Sequence, residues 1–153
     1  MGDVDPLPHA ALRTVRGYAC TFGNVDGGRD RMVRGAFARS LRERPAAEVR
    51  MLFQHDAARP LGRWTRIVED GHGLWVEGVL APAPSAQDVA GLLAGGALDG
   101  LSIGYRTRLA RRDPRTGVRV VERVDLHEVS LVTFPMNARA RLVRRQPQQE
   151  NRP

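Results

Sequence analysis

Three apolar runs in this chain are interrupted or closed by a residue able to do nucleophilic or acid-base work. Ser102 lies in Leu98-Asp-Gly-Leu-Ser-Ile-Gly-Tyr105, Glu128 in His127-Glu-Val-Ser-Leu-Val-Thr-Phe-Pro135, and His55 closes Val49-Arg-Met-Leu-Phe-Gln-His55. A hydroxyl, an imidazole and a carboxylate from three strands are the components of nucleophilic acyl transfer. The imidazole takes the hydroxyl proton and the carboxylate orients the imidazole. Many chains contain these three types in strands, so the surroundings of each residue must decide.

Side chains alternate faces along a strand, which places Gly100, Ser102, Gly104 and Arg106 on one face and Leu101, Ile103 and Tyr105 on the other. The two glycines clear bulk from the face of Ser102. A strand glycine marks close approach of a backbone or a ligand, so the pattern suits a nucleophile that must admit a peptide and equally a tightly packed site with a filler serine. His55 stands at a strand end, before Asp56-Ala-Ala-Arg-Pro-Leu-Gly-Arg63, a stretch read as a loop; strand ends hold side chains rigidly at the rim of a cleft. Glu128 sits among Val129, Leu131 and Val132, where an unpaired carboxylate is costly to bury. An imidazole N–H would offset that cost, as would one of the many arginines. Asp125 is the alternative carboxylate. His9 and His72 fall in a lead-in and a turn, and His127 points to the face opposite Glu128. No pair of histidines or cysteines has metal-ligand spacing, so neither a metal nor another cofactor is expected.

The elements that must position these residues belong to one domain: 153 residues, 42% hydrophobic and 27% charged, suffice for a core. No apolar stretch approaches a membrane span, and Met1-Gly-Asp-Val-Asp-Pro-Leu-Pro8 lacks the basic start and apolar middle of a secretion signal. Cys20 is the single cysteine, so no internal disulfide can form, and its strand context reads as a small buried hydrophobe. All 24 basic residues are arginine and the net charge is +7. Those arginines are scattered, without interleaved aromatics or a finger or helix-turn-helix signature, which disfavours nucleic-acid binding and leaves an acidic protein partner open.

Residues 1–11 read as a flexible lead-in, 12–143 as the domain and 144–153 as a disordered, Pro-bounded tail. Strands are expected over 12–22, 48–54, 62–69, 73–80, 98–108, 118–126 and 128–133. Gly23–Asp30 reads as a polar loop, a short helix follows Gly35, and a second helix capped by Ser85 runs through Val89, Leu92 and Leu93 to Gly95-Gly96. The hairpin turns and the lack of βαβ alternation indicate an α+β fold, a small antiparallel β-barrel with flanking helices.

Taken together, Gly17-Tyr-Ala-Cys-Thr-Phe-Gly23, Arg34-Gly-Ala-Phe-Ala-Arg-Ser-Leu41, Met51-Leu-Phe-Gln-His-Asp56, Leu61-Gly-Arg63, Gly73-Leu-Trp-Val-Glu-Gly78, Leu101-Ser-Ile-Gly-Tyr105 and Glu128-Val-Ser-Leu-Val-Thr-Phe-Pro-Met-Asn137 resemble the prohead (capsid maturation) proteases of tailed bacteriophages. That family also resembles the herpesvirus capsid assembly proteases. The resemblance implies a herpesvirus-protease-like fold and a serine endopeptidase with Ser102 as nucleophile, His55 as general base and Glu128 as the residue orienting it. Backbone near Met136 and Asn137 would supply the oxyanion donors. The implied substrates are the scaffold or scaffold-like arm of the major capsid protein and the protease itself, cleaved inside the assembling prohead in the host cytoplasm. The tail after Arg141 is an expected self-cleavage region, and a homo-oligomer is compatible with the family. Such relatives include proteins of phages, degenerate prophages and gene transfer agents. The alternative within the same fold is a capsid assembly factor that binds without cutting.

Overall fold

The structure is a computed structural model and describes residues 14–144. The expected lead-in over 1–11, and the expected tail apart from Arg144, lie outside the described residues. Seven strands form one sheet: β1 (Thr14–Thr21), β2 (Asp30–Met32), β3 (Arg50–Phe53), β4 (Asp56–Glu69), β5 (Gly73–Leu80), β6 (Gly100–Arg112) and β7 (Arg119–Val132). Two helices accompany them, α1 (Ala38–Glu43) and α2 (Pro84–Ala94), with a 3-10 turn at Ala46–Glu48. The order is β1-β5-β4-β3-β7-β2, and β6 lies along the other edge of β7.

The sheet is mixed, which corrects the expected antiparallel barrel. β3 and β2 both run parallel to β7 along the same edge, whereas β6 runs antiparallel to it. Residue alternation reports which face a side chain occupies, not the direction of the partner strand, so a crossover reads like a hairpin. The sheet curls into a partial barrel. Its open seam, between β1 and β6, is spanned by single bridges from Leu142 to Gly17 and from Arg141 to Gly100. At Gly17 that approach demands glycine, because a Cβ there would stand 2.3 Å from the Arg141 carbonyl oxygen.

Several local boundaries differ from expectation. β7 is continuous, where two strands were expected, and β4 begins at Asp56, where a loop was expected. The polar stretch before Met32 ends in β2, because pairing with β7 supplies a backbone ladder that composition does not reveal. In α2 the cap is Ala83 with Pro84 in the first turn, and the helix buries Ala86, Val89 and Ala90 while Leu92 is exposed.

Trp64, Phe37, Met51, Leu61, Leu74, Leu101, Leu126 and Leu131 are the largest fully buried side chains and form one core inside the curled sheet. Two polar contacts couple that core to β7. Trp64 Nε1 donates to the Val129 carbonyl at 3.2 Å, and the Leu126 N–H donates to Ser40 Oγ, from α1, at 2.9 Å. The strand that carries Glu128 is thereby fixed on both sides of that residue.

Candidate active site

Phe53 pairs with Asp56, so Gln54 and His55 alone make the turn between β3 and β4. Both have positive φ, +53° and +60°. A two-residue hairpin of the I′ kind requires this and ordinarily uses Asn-Gly; Gln and His adopt it at a cost on the order of 1–3 kcal/mol each. Neighbouring groups hold the turn in place. The Gln54 N–H donates to the Leu131 carbonyl at 3.0 Å, Gln54 Nε2 to Thr133 Oγ1 at 2.6 Å, and the Thr133 N–H to Gln54 Oε1 at 3.2 Å. The His55 N–H donates to Ser130 Oγ at 3.1 Å. His55 is therefore clamped to β7 through both its own backbone and that of its neighbour.

On β6 and β7 the register pairs Ser102 with Ser130 and Gly104 with Glu128. Residues directly opposite in an antiparallel pair share a face, so Ser102, Ser130 and Glu128 look the same way. The Glu128 carboxylate lies over Gly104, where a Cβ would come within 2.3 Å of Oε1; Gly100 is approached instead by the Val132 carbonyl oxygen, at 2.6 Å from the same imagined atom. The glycines do mark close approach, but the space over each is filled by the protein itself and not left for a peptide. Glu128 Oε1 contacts His55 Nδ1, and Oε2 accepts from Ser130 Oγ at 2.7 Å. With Nδ1 engaged by a carboxylate, Nε2 is the ring nitrogen available to a proton donor.

Ser102 is 5% exposed. It lines a cavity of about 190 Å³ together with His55, Met136 and Asn137. The structure thus brings four of the five expected positions, Ser102, His55, Met136 and Asn137, around one space and joins His55 directly to the fifth, Glu128. Asn137 is anchored by its side chain: Nδ2 donates to the Thr21 carbonyl at 3.3 Å, and Oδ1 accepts from Asn24 Nδ2 at 3.0 Å. The Met136 carbonyl accepts from the Gly27 N–H at 2.8 Å.

Other candidate side chains have different surroundings. Asp125 pairs with Arg108, which holds its carboxyl below the usual range, and it does not contact His55. His127 is exposed beside Arg44, and His72 packs edge-on against Tyr18. Cys20 is buried, and burial pushes its thiol up to about 12, which makes it a poor nucleophile. Among the described residues no group of three His, Cys, Asp or Glu side chains converges as a metal site would.

Ser130 and Gln54 were missed as site residues by sequence reasoning. Ser130 was legible in principle, since it stands two residues from Glu128 and so on the same strand face. The role of Gln54 depends on its positive φ, for which the sequence carries no turn signal.

The partly curled mixed sheet is similar in fold to several solved viral proteases. The bacteriophage T4 capsid assembly protease aligns with a TM-score of 0.62 at 12% identity, over 78% of this chain and 80% of that one. KSHV protease, solved in complex with a hexapeptide phosphonate inhibitor, gives 0.56 at 15% identity over 85% and 63%. Varicella-zoster virus protease gives 0.55 at 15% over 84% and 62%. At these identities the likeness is one of fold.

The family model for the caudovirus prohead serine protease matches residues 5–152, and the chain belongs to that family. The prohead protease of Enterobacteria phage HK97 is 34% identical over 130 residues, 81% of this chain and 56% of that protein. The prohead protease of Escherichia phage T5 is 32% identical over 87 residues, 57% of this chain and 41% of that protein. The chain spans about half the length of these curated relatives.

Proposed function

We propose that the chain is a serine endopeptidase of capsid maturation in which Ser102 is the nucleophile, His55 the general base and Glu128 the residue that orients and stabilises the imidazolium. The observation that carries this reading is the contact of His55 Nδ1 with Glu128 above a cavity that Ser102 also lines. His55 Nε2 takes the Ser102 proton as the oxygen attacks a peptide carbonyl. The proton then passes to the leaving amine, and water activated by the same nitrogen releases the acyl group. Backbone N–H groups at Met136 and Asn137, on the loop that lines the cavity, receive the oxyanion. Family membership supports the substrates expected from the sequence: the scaffold or scaffold-like arm of the major capsid protein and the chain itself, cut inside the assembling prohead in the host cytoplasm.

A peptidyl phosphonate tests the assignment. It should label Ser102 in the wild-type chain and fail to label Ser102→Ala, and mass spectrometry of capsid protein co-expressed with each should show shortening with wild type alone. Cleavage retained by Ser102→Ala would remove Ser102 from the role. An unlabelled, uncleaving wild type would favour the assembly factor that binds without cutting.

A further inference from the structure

The cavity beside Ser102 has an electrostatic character opposite to that of the chain. The protein carries 24 arginines and a net charge of +7, yet the residues lining this space include two carboxylates, Asp26 and Asp30, and no arginine. The two carboxylates differ. Both oxygens of Asp30 are taken: Oδ1 accepts from Arg119 Nε at 2.9 Å, and Oδ2 accepts from Arg119 Nη2 at 2.6 Å and Tyr105 OH at 3.2 Å. Arg119 is thus committed to Asp30. Asp26 uses Oδ1 alone, accepting from the Gly28 and Asp30 N–H groups at 2.9 Å each, and no side-chain cation bonds it among the described residues. One negative charge on this wall is left without a direct counter-ion. Partial burial raises the Asp26 carboxyl above its ordinary range, and an arriving cation would reverse that cost. The rest of the lining includes Ala19, Cys20, Met32 and Ile103, an apolar surface suited to an aliphatic stem.

Resting on Ser102 as nucleophile, we propose that this cavity receives the lysine or arginine side chain of the residue on the acyl side of the scissile bond, with Asp26 as its counter-charge. The acyl side is specified because the same space is lined by Ser102, which would hold the acyl carbon, and by Met136 and Asn137, which would hold its oxygen. A methylene stem against apolar walls with a carboxylate at the end discriminates by charge, since an acidic side chain there would meet a like charge in a partly desolvated site. Neutral side chains of similar length would fill the space and leave Asp26 unpaired.

The test is a set of otherwise identical peptides with lysine, arginine, norleucine, glutamine or glutamate before the scissile bond, cleaved by wild type and by Asp26→Asn. That substitution keeps an Oδ1 acceptor for the Gly28 and Asp30 N–H groups. Wild type should favour lysine or arginine over norleucine by at least tenfold in kcat/KM, and Asp26→Asn should reduce that ratio at least tenfold. No preference in wild type, or a ratio unchanged in Asp26→Asn, overturns the proposal; if the variant does not fold, the wild-type series alone decides. A second arm measures binding of product peptides ending in lysine or norleucine to Ser102→Ala. If wild type cleaves nothing, the catalytic reading fails, while tenfold tighter binding of the lysine peptide still supports the pocket and equal binding rejects it.

Discussion

The Glu128 carboxylate occupies the space that a side chain at Gly104 would take: a Cβ there would lie 2.3 Å from Oε1 and 2.7 Å from Cγ and Cδ. All three atoms belong to the side chain that contacts His55, so Gly104→Ala can be accommodated only by moving Glu128. The expected outcome is a folded protein with cleavage reduced on the order of a hundredfold and a displaced His55 ring signal in NMR. Gly62→Ala is the contrasting case, because its Cβ would strike the Val79 carbonyl oxygen at 2.0 Å. That clash is with backbone, so loss of Tm should be the dominant effect there.

Ser130 links both halves of the pair, donating to Glu128 Oε2 at 2.7 Å and accepting from the His55 N–H at 3.1 Å while fully buried. Ser130→Ala leaves a carboxylate oxygen and a backbone N–H in the site without this partner, which costs roughly 1–3 kcal/mol. We expect a lower Tm, a fall in kcat of about tenfold or more and little change in KM, since Ser130 positions His55 without touching substrate. A change confined to KM would argue against a positioning role.

How much of this was legible in the sequence depends on the range of each interaction. Strand parity placed Ser102 with Gly100 and Gly104, and the cost of a lone carboxylate singled out Glu128; both are properties of one strand. The glycines' actual neighbours were not legible, because Gly104 is crowded from β7 and Gly100 from β7 and Pro135. The same limit hid the parallel pairing of β3 with β7, which is what carries the Gln54-His55 turn to Glu128 and Ser130. Positive φ at Gln54 and His55 runs against local preference and is held by contacts with residues 130, 131 and 133. A rule for turns could not have found it.

The choice between the two candidate carboxylates can be separated kinetically. Glu128→Gln keeps the shape of the side chain contacting His55 but removes its charge, and should lower kcat on the order of 10²–10⁴-fold. Asp125→Asn disturbs only a partly exposed, solvent-screened pair with Arg108 and should leave cleavage within about twofold of wild type. Parallel assays of the two variants on one peptide decide the matter, and the reverse order would assign the role to Asp125.

Asp30 predicts an acid sensitivity that is independent of the catalytic residues. Hydrogen bonds from Arg119 hold its carboxyl below the usual range, so the folded state binds its proton less readily than the unfolded chain. The stabilisation is fully present above the unfolded carboxylate range near pH 4 and disappears as pH falls through the lower folded value. Because the pair joins β2 to the start of β7, Asp30→Asn should destabilise the fold at pH 7 by about 2 kcal/mol, the scale of a hydrogen bond to a charged group. The gap from wild type should shrink in urea melts as pH falls from 5 to 2. A gap that stays constant over that interval would show that Asp30 acts through packing and not through its charge.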